Sequence, residues 1–373
     1  MFKTAYRFIR YDRPKSLGAL AGVIISVFLV GQQAGIFIFL TNSMSSLVRN
    51  NSQYIWVVDN KTTNVSALSP LDVRIGREIA SLPGVRNVHP IVVAGGSAKF
   101  ENGASSGVNL IGSEGPDYAG GPWNQVLGDA SVMTQEGAVI TDFFDRKLLG
   151  EALPGDYFEV NGKRVYIAGQ TRGVRSFSGA YVFTTIERAR ALGNFSSNEA
   201  TAFLVEWDPA LPQQQVIDTI NQYVYGVRAW EGNAFAQATI GTVLGSSGIA
   251  FSFGTNIIFA FVVGFVIIGL MLYTMAVDRI KDYGTLKAIG ATNGYVRRLI
   301  LTQALMISVV GFLIASVLVE GFRNGIANVG TIFSFPLPLR LGFLGMTLFI
   351  AFTGSLFAIR RIVKLEPAQV FRT

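Results

Sequence analysis

Cysteine is absent from this 373-residue chain, and histidine occurs once. The first absence excludes disulfide frameworks, thiolate metal sites, iron–sulfur clusters and cysteine nucleophiles. The second excludes a multi-histidine zinc site within one chain. The lone His89 precedes Pro90 and reads as a loop or strand-end residue. Charge is sparse as well: 15% of residues are charged, against roughly a quarter in ordinary soluble domains. Hydrophobic residues make up 50% of the chain, and mean hydropathy is +0.41. This balance argues against a purely soluble enzyme and against a disordered chain. No G-x-x-x-x-G-K-[ST] occurs, so ATP is not bound through a P-loop here. The sequence has no zinc-protease histidine pair and no carboxylate dyad at an informative spacing.

What the chain does have is long apolar runs. About 20 apolar residues cross a hydrocarbon core ~30 Å thick. Four stretches qualify: 17–40, 251–277, 299–319 and 341–359. The first follows basic residues, as a signal peptide would, but its apolar run is too long and no small-residue cleavage site follows clearly. Charge sets the orientation. The segments 1–15, 278–298 and 360–373 together carry net +10, the 49–250 segment net −4 and the 320–340 loop net +1. By the positive-inside rule both termini and the 278–298 loop face the cytoplasm, and the long insert faces outward. The net charge of +7 is therefore a membrane-topology signal, and no nucleic-acid partner is expected. The expected organisation is an interfacial helix and first span in 1–48, an extracytoplasmic domain in 49–245, and three further spans in 246–373.

The insert reads as an α+β domain. A strand at Tyr54–Val58 is followed by a helix near 71–82, with Ser69 as its N-cap and Pro70 in its first turn, and by a strand at Val85–Val88. A similar unit follows: strand 201–207, a helix opened by Pro212, and strand 226–230. Two strand–helix–strand units suggest a split βαβ layout around a β-rich middle. Within that middle, 155–167 reads as a hairpin turning at Asn161-Gly162. Gly103-Ala104-Ser105-Ser106-Gly107 fits G-x-S-x-G, but a nucleophile elbow needs a strand before it and a helix after it. Here a strand follows, so a hairpin loop is expected.

The spans carry small-residue spacings. Gly18 and Gly22 form one four-residue pair, and Gly31 and Gly35 form another, which allows close helix packing. At 100° per residue the two pairs fall on roughly opposite faces. Gln32 and Gln33 lie inside the second pair and either bond a neighbouring helix or line a substrate path. No ionisable residue lies in the interior of any span, which disfavours an ion-coupled transporter. Before the first span, Phe2, Tyr6 and Ile9 share one face and Lys3, Arg7 and Arg10 lie near the other, as in an interfacial helix on membrane lipids.

The most specific segment is the loop between spans 2 and 3. Asp282, Tyr283, Gly284, Leu286, Lys287, Ala288, Ile289 and Gly290 form a short helix near 280–290, with Tyr283, Leu286 and Ile289 as its apolar face. Gly290 would end the helix at positive φ, and Thr292 would cap the next one. Such a helix, held between two spans, is a lever.

In this segment the chain resembles the MacB/FtsX superfamily of ABC transporter permeases. The matching positions are Asp282, Gly284, Leu286, Lys287, Ala288, Ile289, Gly290 and Ala291, with aspartate where the family usually has glutamate. In the tail, Arg360 and Arg361 precede Pro367-Ala368 and Val370-Phe371-Arg372. The N-terminal region is similar to the DevC-like and haem-exporter-like branch. The resemblance implies an α-helical bacterial inner-membrane protein with four transmembrane helices and an extracytoplasmic α+β domain between helices 1 and 2. It implies a permease subunit and no enzyme, working as two copies with two P-loop ATPase subunits. Those subunits would hold the ATP and Mg, with no cofactor in this chain. A periplasmic adaptor is a further implied partner. The implied function is export of an amphipathic or hydrophobic substrate by mechanotransmission. The alternative is a permease that transmits force to a cell-wall hydrolase and moves nothing. An anchored enzyme and a passive receptor are the rivals outside this class.

Overall fold

The computed structural model describes residues 1–11, 13–101, 103–333 and 335–363. The tail match at Pro367-Ala368 and Val370–Arg372 lies outside them. The chain divides into two compact units, Met1–Ile38 with the chain from Ala250 onward, and Phe39–Ile249. In chain order, helices α1 (Phe2–Tyr11), α2 (Arg13–Met44) and α3 (Ser46–Asn50) come first. They are followed by β1 (Ile55–Asp59), β2 (Leu71–Asp72), α4 (Arg74–Ala80), β3 (Val85–Lys99), β4 (Ser105–Ser113), β5 (Gln125–Leu127) and β6 (Ala138–Asp142). Next are β7 (Tyr157–Val160), β8 (Lys163–Thr171), β9 (Ala180–Thr185), α5 (Ile186–Gly193), β10 (Glu199–Ala200) and β11 (Ala202–Trp207). The order closes with α6 (Gln213–Tyr223), β12 (Val227–Glu231), α7 (Gly232–Ser247), α8 (Ile249–Asp278), α9 (Ile280–Ala288), α10 (Asn293–Ala327) and α11 (Leu337–Val363).

Helices α2, α8, α10 and α11 are long and apolar enough to cross a membrane. Their shared interior joins Val23 and Val27 of α2, Ile268 of α8, Ala304 and Ala315 of α10, and Ile350 of α11. The glycines set the approach distances. A β-carbon at Gly22 would overlap Ile267 of α8, and one at Gly31 would sit 2.8 Å from Val319 of α10. Gly18 faces Met271 and Gly35 faces Phe333. The two small-residue pairs therefore serve two different neighbours, as their angular offset requires. Gln32 and Gln33 are half-buried.

The inserted domain is α+β, as the alternating patterns imply. Its main sheet runs β12-β1-β11-β3-β4-β9-β6-β8-β5, and β7 pairs with both β3 and β8. Strands β12, β1, β11 and β3 are antiparallel neighbours. Thus β11 lies between β1 and β3, and β1 lies between β11 and β12. The units β1–α4–β3 and β11–α6–β12 interleave, each splitting the other. Ile79, Val216, Ile217 and Ile220 cover this half of the sheet with Ile55, Val57 and Phe203. In the other half, β4 runs parallel to β9 and β6 parallel to β8.

Local chemistry explains both agreements and departures. Asn161 and Gly162 have φ of 48° and 78°, the two left-handed residues that a tight β7–β8 turn requires. The Gly103–Gly107 motif lies at the β3–β4 hairpin: Gly103 and Ala104 fall in the connection, the Phe100 amide donates to the Ala104 carbonyl at 3.0 Å, and Ser105, Ser106 and Gly107 pair with Lys99, Ala98 and Ser97 as the start of β4. Helix α4 starts at Arg74, later than the expected 71, with Val73 and not Ser69 at its N-cap. The cause is that Leu71 and Asp72 are claimed by pairing with Ala200 and Glu199. His89 is not at a strand end: it sits inside β3, opposite Leu204, and its Nε2 lies 3.2 Å from Glu206. Pro90 does not end β3, because residues 85–91 pair on one edge only and a proline fits where no N–H is needed.

Candidate coupling site

Helix α9 is the segment singled out by the motif, and its nine residues are short for independent stability. It is held by packing. Tyr283 is 1% exposed and joins Ala5, Val296, Leu299, Ile300, Ala358 and Ile359 in one apolar cluster. Phe8 of α1 and Leu286 of α9 border the same cluster. The Phe8 and Tyr283 rings lie 5.5 Å apart. The Tyr283 hydroxyl is 3.5 Å from the Gln303 amide of α10, and burial pushes its pKa up to about 12. Tyr283 therefore stays neutral at all ordinary pH values. Four elements, α1, α9, α10 and α11, meet in this one cluster.

Polar ties surround the cluster. Lys287 donates from Nζ to the carbonyl oxygens of Ile362 at 3.4 Å and Val363 at 2.9 Å. These two bonds tie α9 to the last described residues of α11. Burial lowers the Lys287 pKa. Arg279 lies over the rings of Phe8 (4.7 Å) and Tyr11 (5.0 Å) and reaches Asp282 at 3.8 Å. Lys15 at the start of α2 pairs with Asp278 at the end of α8. A cavity of about 580 Å³ opens here, lined by Arg7, Phe8, Tyr11, Asp278, Arg279 and Asp282.

The expected apolar face is divided by this arrangement. Each three-residue step falls 60° short of a full turn, so Tyr283, Leu286 and Ile289 fan across 120°. Tyr283 points into its own chain, Leu286 is half-buried and Ile289 is 80% exposed. Gly284 is buried, whereas Asp282, Thr285, Ala288 and Ile289 form the open side. Gly290 has φ of 102° and nothing near its missing β-carbon, so conformation alone demands glycine there. The Thr292 hydroxyl accepts from the Tyr295 amide at 3.2 Å and caps α10.

Sequence reading missed a second constellation, in the inserted domain. Asp142 and Asp145 are each 1% exposed. Asp142 accepts from the Val174 amide at 2.8 Å, the Phe144 amide at 2.9 Å and Thr171 Oγ1 at 3.0 Å. Asp145 meets Arg175 at 2.6 Å. Burial raises the Asp145 pKa to about 7; Arg175 opposes this and Asp142 adds to it. The Arg175 carbonyl in turn accepts from Ser46 Oγ of α3 at 2.8 Å, and Tyr181 Oη lies 3.0 Å from the same Ser46 oxygen. The acids thus brace the segment that follows α2. Their i, i+3 spacing in Asp-Phe-Phe-Asp was the available signal, but it does not reveal Arg175, thirty residues away.

Comparison with known proteins bears on the whole arrangement. Residues 16–223 match the MacB-like periplasmic core domain, and residues 254–367 match the FtsX-like permease C-terminal domain. This chain belongs to the MacB/FtsX family of ABC-type permeases. The motif helix α9 lies within the FtsX-like match, and both split βαβ units fall within or adjoin the MacB-like match. Among solved structures, the chain is similar to the extracellular domain of the noncanonic ABC-type transporter YknZ from Gram-positive bacteria. That likeness is 12% identical with a TM-score of 0.36 and covers 47% of this chain and 98% of the other. It is also similar to the periplasmic region of MacB from Actinobacillus actinomycetemcomitans, at 10% identity and a TM-score of 0.36, covering 54% and 99% of the two chains. No curated protein matches the chain. As a MacB/FtsX-family permease, it is a multi-pass membrane protein with its α+β domain inserted between the first and second long helices.

Proposed function

We propose that this chain is the permease subunit of a bacterial inner-membrane exporter, powered by a separate P-loop ATPase that docks on α9. The observation that carries the proposal is the two-sidedness of α9. Its inner side is fastened to α1, α10 and α11 through Tyr283 and Lys287, and its outer side offers Asp282, Thr285, Ala288 and Ile289. A push on the outer side moves the ends of several spans together. ATP and Mg belong to the partner in this reading, two copies of the permease assemble with two ATPases, and an adaptor meets the inserted domain. The basic excess of residues 1–15, 278–298 and 360–373 supports a cytoplasmic side for α9 and both termini. The spans hold no interior ionisable group for ion coupling, which favours an ATP-driven partner, and the proposed cargo is amphipathic or hydrophobic.

The test is Ile289→Arg. Because Ile289 is exposed, the variant should keep the fold and its thermal midpoint while losing ATPase stimulation and transport. Full stimulation by the variant overturns the docking role. The close approaches of Gly22 to Ile267 and Gly31 to Val319 favour the second reading, force transmission to a cell-wall hydrolase. ATP-dependent efflux from vesicles carrying the full complex supports export. Hydrolase activation without efflux supports transmission.

A further inference from the structure

A cleft of about 360 Å³ lies between α1, α2 and α10, distinct from the cavity beside α9. Its walls are Ile9 of α1, Leu17 and Leu20 of α2, and Ile307 and Val310 of α10. Its volume falls within the roughly 300–1,000 Å³ typical of ligand sites. Arg10 and Arg13 also line it; both are exposed, and among the described residues neither makes an ion pair. The cleft is built rather than incidental. Ser16 is buried and donates from Oγ to the Ile9 carbonyl at 2.8 Å, which fixes α1 against α2. Ala5, one turn earlier, is fully buried against Val296 and Leu299 of α10. The result is an apolar trough with two guanidinium groups beside it, at one end of the spanning helices.

We propose that this cleft binds one anionic phospholipid, with an acyl chain along the trough and the phosphodiester on Arg10 and Arg13. The complementarity is twofold. The trough gives an alkyl chain close van der Waals contact, and guanidinium forks match phosphate oxygens in geometry and charge. A free phosphate would satisfy the arginines but leave the trough empty. A zwitterionic lipid would fill the trough but carry its own cation to the arginines. Because α1 also packs on Tyr283 through Phe8, a lipid held here would pin α1 beside the α9 cluster.

The experiment is native mass spectrometry of the full chain in non-ionic detergent, loaded with phosphatidylglycerol or with phosphatidylcholine. One phosphatidylglycerol per chain should survive conditions that strip phosphatidylcholine, with retention higher by about tenfold. Arg10→Gln with Arg13→Gln should reduce it to the phosphatidylcholine level, whereas Lys3→Gln with Arg7→Gln, an equal loss of charge, should not. Leu17→Trp, which fills the trough and leaves both arginines, should displace the lipid as well and serves if the double variant fails to fold. Equal retention of the two lipids by the unaltered chain overturns the proposal. So does phosphatidylglycerol binding that survives both the double variant and Leu17→Trp. If inorganic phosphate at millimolar concentration displaces the lipid while the trough-filled variant still binds it, the arginines form a phosphate site and the lipid assignment fails.

Discussion

Lys287 of α9 donates to the Val363 carbonyl at 2.9 Å, so the motif lysine ties α9 to α11 within its own chain. The neighbouring Ile362 carbonyl at 3.4 Å shares the same ammonium.

Lys287→Met keeps the side-chain length and removes the donors. The expected cost is about 1 kcal/mol, and a charge-bearing Lys287→Arg should recover part of it. Thermal unfolding of the detergent-solubilised chain checks the order. If α9 transmits force through this tie, ATPase stimulation falls further in Lys287→Met than its stability loss accounts for.

Gly290→Val should destabilise the protein by about 1–3 kcal/mol, because φ of 102° is costly for a β-branched residue. No neighbour lies within 4 Å of the missing β-carbon, so steric contact adds nothing. Gly290→Asn should therefore be milder than Gly290→Val, since asparagine tolerates positive φ. Equal destabilisation by the two variants would refute the conformational account.

Gly22→Ala places a methyl group against Ile267, and one of the two must move. A loss of about 1–3 kcal/mol is expected from this overpacking. Ile267→Ala on the opposing helix should restore part of that loss, giving a favourable coupling in a double-mutant cycle. Additive effects would show that α2 and α8 do not meet at this position.

The Asp145 carboxyl titrates near pH 7 in the fold, well above its ordinary value of 3.8, because it is buried. The folded state then binds more protons than the unfolded chain between these two pH values. Its contribution to stability is fully present below about pH 4 and is lost as pH rises through 7. The loss reaches at most about 1.4 kcal/mol per pH unit while the proton is being released. Asp145→Asn should flatten that part of the stability profile, measured as thermal midpoint against pH from 4 to 8. An unchanged slope would assign the dependence to other groups.

Leu286 and Ile289 illustrate why the functional face was only partly legible. Their spacing marks a helix with apolar positions, but not which of those positions the rest of the chain covers. Leu286 borders the Tyr283 cluster, so a charge there would disturb the fold itself. Ile289 is the residue that remains outside. Asp142, Asp145 and Arg175 escaped notice for a similar reason: charge in a polar stretch reads as solvated until a sheet closes over it.

The spans, the inserted domain, the Asn161-Gly162 turn and the glycine at the end of α9 were determined by sequence alone. Each rests on a local or additive property: run length against bilayer thickness, period-two or period-3.6 patterning, or the φ that a lone residue tolerates. The interleaving of β1, β11 and β12, the inward turn of Tyr283 and Lys287, the persistence of β3 through Pro90 and the burial of Asp145 were decided only by tertiary structure. Those outcomes depend on which distant segments compete for one edge, one cavity or one carbonyl. Separations of 75 residues, as between Lys287 and Ile362, leave no periodic trace in the chain.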